Sequence, residues 1–240
     1  MPAARTVLIT GGAGGIGRAI AAAFTALGDD VVLTDIAGAQ EAAAELGTRW
    51  VELDITDEDS ITGALEAVGP VDVLVNNAGL LTVHGRLLEL AGADMLRILN
   101  TNVHGTFLMT QLVARGMVER GTGGAVVNLS SIGGRQPTPG MGGYESSKAA
   151  VDALTRWAAI ELAEHGIRVN AVAPGPVLTP MLAMGLPEGS PARQAWLERI
   201  PLRQLAPVAQ VAAAVVFLAG ESAAHITGTS LPVDGGQLLV

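Results

Sequence analysis

Short runs of β-branched and aliphatic residues alternate along the chain with longer alanine-rich stretches, and no other feature narrows the fold as much. Runs such as Val71-Asp72-Val73-Leu74-Val75 are apolar almost without interruption, the pattern of strands buried on both faces. Parallel neighbours need a long crossover, which a helix supplies. The alternation therefore predicts an α/β fold, a doubly wound parallel sheet of about seven strands with helices on both faces. Expected strands are Thr6–Thr10, Asp30–Thr34, Trp50–Leu53, Val71–Val75, Ala125–Leu129, Arg168–Val172 and Thr229–Val233. Between them the helical stretches are Ile16–Leu27, Gln40–Leu46, Glu58–Ala67, Asp94–Arg120, Tyr144–Glu164 and Pro207–Ala219.

A chain of 240 residues fits one large domain, residues 1–240, better than two small ones. No internal repeat or low-complexity linker divides it. One irregular, proline-rich stretch, from Pro174 to about Leu205, reads as a loop-helix excursion, and long excursions in compact domains serve more often as lids or binding loops than as linkers. The hydrophobic fraction of 49% allows a large core and buried subunit surface besides. The longest apolar run, Val211–Ala219, is too short for a bilayer, which needs about 20 residues, so no membrane association is expected. The N-terminus leads directly into Thr6–Thr10 without the apolar stretch and cleavage site of a secretory signal. With zero cysteines, disulfides and thiolate metal sites are excluded, and a cytoplasmic setting is expected. A net charge of −9, scattered basic residues and 3% aromatics argue against a nucleic-acid partner.

Three groups of residues carry chemistry. The first expected strand ends in Thr10-Gly11-Gly12-Ala13-Gly14-Gly15-Ile16-Gly17, a glycine-rich strand-to-helix turn. Such a turn lets the backbone approach a pyrophosphate, with helix amides as donors. Asp35, after the second strand, is placed to accept hydrogen bonds from both adenosine ribose hydroxyls and to repel a 2′-phosphate. No basic residue lies between Gly11 and Gly17. Both points favour NAD, with NADP the lesser expectation. Asp54 and Ile55, after the third strand, offer a hydrogen bond and an apolar contact to an adenine. In the third group, Tyr144 and Lys148 lie four apart, on one face if the segment is helical. A fixed ammonium favours the phenolate, so the tyrosine is expected below its ordinary pKa, suited to general acid–base work. A hydroxyl from the pair Ser130-Ser131 then holds a carbonyl or alcohol oxygen beside the phenol. The four histidines, His84, His104, His165 and His225, show no metal-ligand spacing, and no metal is expected. Met181, Leu182, Met184 and Trp196 form either an apolar roof over a substrate or ordinary packing of the excursion.

In this order the motifs resemble the compact form of the short-chain dehydrogenase/reductase family, over about Val7 to Gly236. Thr10 to Gly17 resembles its TGxxxGxG turn, and Asn76-Asn77-Ala78-Gly79 its NNAG segment, which supports the central sheet and borders the cofactor. Asn102 matches its helix asparagine, and Tyr144 with Lys148 its YxxxK pair. Ser131, thirteen positions before Tyr144, has the spacing of the family serine. Pro174-Gly175-Pro176-Val177-Leu178-Thr179 is similar to its PGxxxT segment beside the nicotinamide, and Val233-Asp234-Gly235-Gly236 to its last-strand ending. The resemblance implies a Rossmann-type sheet and hydride transfer between nicotinamide C4 and a carbinol carbon. It assigns Tyr144 as proton donor and acceptor, Ser131 to the substrate oxygen, Lys148 to the nicotinamide ribose, and Asn102 to a water that relays protons from Lys148.

Taken together, the residues and the resemblance point to an NAD(H)-dependent oxidoreductase interconverting a small-molecule secondary alcohol and ketone. A 3-oxoacyl thioester reductase is the enzymatic alternative, and a dinucleotide sensor without turnover the non-catalytic one. By the same resemblance, a homotetramer or homodimer forms through the two long central helices and the last strand.

Overall fold

The alternation is realised element by element. The computed structural model describes residues 4–81 and 83–240, without the side chains of Met181 and Ala183. In chain order it forms β1 (Thr6–Thr10), α1 (Gly15–Ala26), β2 (Asp30–Asp35), α2 (Ala39–Leu46), β3 (Arg49–Glu52), α3 (Glu58–Val68), β4 (Val73–Asn76), α4 (Gly92–Leu99) and α5 (Thr106–Arg120). Then come β5 (Gly124–Leu129), α6 (Gly142–Leu162), β6 (Ile167–Pro174), β7 (Val177–Leu178), α7 (Pro180–Gly185), α8 (Pro191–Glu198), β8 (Ala206–Pro207), α9 (Val208–Ala219) and β9 (Ser230–Val233). Seven strands make one sheet in the order β3-β2-β1-β4-β5-β6-β9, every pairing parallel. The Rossmann-type expectation holds.

Successive strand residues point to opposite faces, so the sheet divides the core in two. Val7 and Ile9 pack with Ile20 and Phe24 of α1 and Val211 and Val215 of α9. Leu8, Val32 and Leu74 face the other way, against Ile61 of α3 and Met109 and Met117 of α5. The strand order reverses between β1 and β4. In open parallel sheets that reversal opens a crevice beyond the carboxyl ends of the strands, and the glycine-rich turn lies there.

Two expectations need correction. The single helix over Asp94–Arg120 is instead α4 and α5 joined by a π-helical turn, Asn100–Gly105. The wider turn accommodates two constraints. Asn102 is fully buried and hydrogen-bonds both backbone groups of Leu80, accepting from its N–H at 2.6 Å and donating to its carbonyl at 3.1 Å. Gly105 lies so close to Ile55 that an added Cβ would come within 2.7 Å of Ile55 Cδ1. The excursion after Pro174 is also more regular than expected. It holds α7 and α8, both with proline in the first turn, and its ends pair as the two short parallel strands β7 and β8.

Below the crevice a buried polar network ties sheet to helices. Asn76 Nδ2 donates to Asn128 Oδ1 at 2.9 Å and to Thr110 Oγ1 of α5 at 3.0 Å, and Asn128 Nδ2 donates to Thr155 Oγ1 of α6 at 2.9 Å. Losing one member leaves buried donors and acceptors unpaired, which costs about 1–3 kcal/mol each. Asn128→Ala is therefore expected to lower unfolding free energy by about 2–4 kcal/mol in urea melts.

Candidate functional site

The nucleotide end is built by close backbone approach. Gly11 has φ +65°, and a Cβ there would lie 2.7 Å from Ala78 Cα. A Cβ on Gly17 would lie 2.9 Å from Gly12 Cα. Gly14 N donates to Gly11 O at 3.3 Å and stands at the N-cap of α1, where no side chain caps the helix. Gly15 lies beneath the excursion, with Pro180 Cδ at 3.1 Å from a Cβ built on it. Asp35 closes the turn from β2, accepting from Ala13 N at 3.1 Å and Ile36 N at 2.9 Å.

Within the Asn76–Gly79 segment, Asn77 holds the glycine-rich turn. Its Nδ2 donates to Thr10 O at 3.0 Å and Gly11 O at 2.8 Å, while its N–H and that of Ala78 both donate to Thr10 Oγ1 at 3.1 Å. These bonds bridge β1 and β4 across the strand-order reversal. Asn76 turns instead into the network beneath the sheet. Arg18, also not singled out in the sequence, donates to Ala13 O at 3.0 Å and pairs with Glu45. At the expected adenine position, Asp54 is exposed and its carboxylate accepts from Thr56 N at 2.8 Å and Thr56 Oγ1 at 2.7 Å. Ile55 is a core residue packed on Gly105 rather than a free apolar contact.

A crevice of about 450 Å³ gathers Ile16, Gly79, Ser131, Tyr144, Lys148, Pro174, Gly175, Val177 and Thr179 on its wall, together with Asn77, Leu182 and Trp196. The backbone supports it from two sides. Gly175 N donates to Val233 O at 3.0 Å, and Thr179 Oγ1 caps α7 by accepting from Leu182 N at 3.2 Å. The serine pair divides its work. Ser130 is buried and donates to Lys148 O at 3.2 Å, pinning β5 to α6. Ser131 Oγ accepts from Gly133 N at 3.1 Å, and its hydroxyl is directed at the Tyr144 phenol. Asn102 reaches this group through Ser147, whose Oγ accepts from Asn102 Nδ2 at 2.9 Å. Met181, expected in the roof, has its side chain outside the described residues.

The charges depart from expectation. Lys148 is 5% exposed and donates to Leu129 O at 2.6 Å, with Nζ 5.6 Å from the Tyr144 ring centre. Burial disfavours its ammonium and pulls the pKa down to about 8, against a raising pull from Asp152. Tyr144 lies above the ordinary tyrosine value, not below it. Burial pushes the phenol up, hydrogen bonding to Ser131 pulls it partly back, and the Glu145 charge adds to the rise. The helical four-residue spacing does bring the pair together, but the ammonium sits over the ring and desolvation outweighs it.

Lys148 also makes stability depend on pH. Its folded pKa is depressed, so between about pH 8 and 10.5 the unfolded chain binds the extra proton and stability rises with pH. Across that window wild type is expected to gain ~3 kcal/mol relative to Lys148→Met. Urea melts at pH 7, 8.5 and 10 check this, and parallel pH profiles would remove the assignment.

Known proteins match this arrangement over nearly the whole chain. Residues 11–237 match the family described as enoyl-(acyl carrier protein) reductase. The chain is 40% identical over 248 residues to cis-4-hydroxycyclohexanecarboxylate dehydrogenase of Sinomonas cyclohexanicum, covering 99% of this chain and 98% of that protein. It is 38% identical over 241 residues to L-xylulose reductase of Mus musculus, covering 98% and 97%. The solved structure of ElxO with NADP bound superposes with a TM-score of 0.91 at 34% identity, covering 99% of this chain and 100% of that one. With the fold, the glycine-rich turn and the tyrosine–lysine pair already in hand, these likenesses place the chain in the short-chain dehydrogenase/reductase family of oxidoreductases, which bind a nicotinamide dinucleotide.

Proposed function

We propose that the chain is an NAD(H)-dependent oxidoreductase that interconverts a secondary alcohol and a ketone, with Tyr144 as general acid and base. One observation carries the reading: a phenol, a serine hydroxyl and a buried ammonium line a single crevice beside an uncapped glycine-rich helix start. The names of these two relatives, a cis-4-hydroxycyclohexanecarboxylate dehydrogenase and an L-xylulose reductase, support the same chemistry.

The residues present fit the dinucleotide. Open amides at the start of α1 suit a pyrophosphate, with Gly11, Gly14, Gly15, Ile16 and Gly17 along it and Asp35 at the ribose. Asp54, Ala78 and Gly79 border it, Ile55 and Asn76 support that border from the core, and Pro174, Gly175, Val177 and Thr179 flank its nicotinamide end. When bound, the cofactor supplies or takes up the hydride. The chain's own groups do the rest. Ser131 donates to the substrate oxygen and stabilises its developing charge, as an oxyanion donor does. Tyr144 gives that oxygen a proton in reduction and removes one in oxidation. Lys148 returns protons from the crevice interior to Tyr144, and Asn102 supports the path through Ser147. Residues 174–205 act as the lid of the single domain, since Pro180 overlies Gly15 and both Leu182 and Trp196 wall the crevice.

NAD is favoured because Asp35 presents a carboxylate at the ribose end and Glu45 already occupies the Arg18 guanidinium. A 3-oxoacyl thioester reductase is the second reading, favoured by the acyl-carrier description of the matching family. For subunit contacts, α5 and α6 present an apolar face on which Trp157, 51% exposed, stacks on Phe107 at 6.1 Å between ring centres. β9 leaves one sheet edge open. We assign these surfaces to a homotetramer.

Tyr144→Phe is expected to keep NADH binding by fluorescence and lose turnover by about 10²- to 10⁴-fold. Near-normal rates would remove Tyr144 from the mechanism. Because burial holds the phenol high, alcohol oxidation in wild type should climb with pH into the alkaline range while ketone reduction falls. Asp35→Ala should shrink the NAD over NADP preference in kcat/KM, and a wild type preferring NADP would overturn the assignment. Light scattering is expected to report a tetramer that Trp157→Glu dissociates, and a monomeric wild type at micromolar concentration would contradict the interface.

A further inference from the structure

One crevice group has no task in this chemistry. Gln237 is 2% exposed, and its Oε1 has no hydrogen-bond partner among the described residues. Yet Gln237 lines the same crevice as Tyr144 and Ser131. Its neighbours decide which end of the amide is free. The Val240 carbonyl oxygen can only accept, so Gln136 turns Nε2 towards it at 3.2 Å. That leaves Gln136 Oε1 facing Gln237, which answers with Nε2 at 3.2 Å. Flipping either amide would set two like groups together. The orphan is therefore an acceptor.

The orphan is also held in place. Asp234 accepts from Gly236 N and Leu238 N, each at 2.9 Å, and its carbonyl accepts from Gln237 N at 3.2 Å. Buried polar groups in folded proteins nearly always find a partner, and an unmatched one calls for a specific explanation. A second acceptor lines the same crevice. Glu145 is 7% exposed, and its two oxygens share one donor, Thr138 N, at 2.8 and 2.9 Å. Acceptors lining the crevice that holds Tyr144 and Ser131 favour a molecule that brings donors.

We propose that Gln237 is a substrate-recognition residue whose Oε1 accepts from a hydroxyl other than the reacting one. The substrate class is then a polyhydroxylated ketone or alcohol, an open-chain ketose or polyol. This rests on the alcohol–ketone reading and narrows it. The acyl chain of a 3-oxoacyl thioester carries no second hydroxyl on the carbons flanking the reacting one, so it leaves the acceptor unpaired.

Two ketones of one carbon skeleton, xylulose and 2-pentanone, differ in the hydroxyls alone. Gln237→Met is expected to lower the ratio of their kcat/KM values, xylulose over 2-pentanone, by about 10- to 100-fold. Gln237→Asn, which withdraws the acceptor by one methylene, lowers the same ratio and serves if the methionine variant melts abnormally. A ratio indifferent to both substitutions, as expected if Oε1 holds only an ordered water, defeats the proposal while leaving the alcohol–ketone reading intact. A wild type that turns over no alcohol or ketone defeats that reading instead. Binding is then still decided by heat: xylitol should raise the melting temperature of wild type with NAD present, and raise it less in the variants. Equal shifts overturn the recognition role.

Discussion

The docking of α6 on the end of β5 sets every other feature of the site. Three bonds make it: Ser130 Oγ to Lys148 O, Lys148 Nζ to Leu129 O, and, deeper, Asn128 Nδ2 to Thr155 Oγ1. All three cross between strand and helix, and their partners are buried, where an unmade hydrogen bond is most costly. The helix can therefore neither slide nor rotate without orphaning polar groups. That constraint carries Tyr144 to the position where Ser131, at the mouth of β5, meets its hydroxyl. Backbone and side chain share the task. Ser130 fixes the helix so that Ser131 can serve the crevice.

The same burial sets the electrostatics, and in a direction that charge pairing alone does not give. Lys148 is pulled down and Tyr144 pushed up, so each group leans towards its neutral form in the free chain. Near neutral pH the proton inventory is an ammonium about one pH unit from release and a phenol that holds its proton. Such a pair is poised to donate. A positive charge arriving in the crevice would lower the phenol's affinity for its proton and push the same site towards accepting one. The direction of chemistry is thus left to what occupies the crevice rather than fixed by the chain.

Much of this is legible in the residues, because the features that reveal it act locally. Near-continuous apolar strands, a glycine-rich turn and a four-residue helical spacing are each short-range signals, and most of their elements appear within a residue or two of expectation. The departures depend on contacts between distant segments. The π-helical turn at Asn100–Gly105 exists because Asn102 bonds Leu80 and Gly105 meets Ile55, and no local pattern encodes either. Asn76 and Asn77 are adjacent in sequence, but strand alternation sends one below the sheet and the other to the turn of β1. The tyrosine shifts opposite to expectation because a sequence displays the ammonium and hides the desolvation. Arg18 needs Glu45, twenty-seven positions away, to reveal its engagement.

The placement of Gln237 explains why family and fold say so little about substrate. The elements proposed to bind dinucleotide and move protons lie on β1, β4, β5 and α6, at the centre of the sheet where packing fixes them. The other groups lining the crevice come from the periphery: the short turn after β9, the stretch following Ser131, and the excursion between β6 and α9. These segments lie outside the seven-stranded sheet, so their polar atoms can change while the central chemistry stays. In such a design a single buried acceptor can decide between a bare ketone and a hydroxylated one. Reaction class therefore follows from the sheet, and substrate class from a few atoms at its margin.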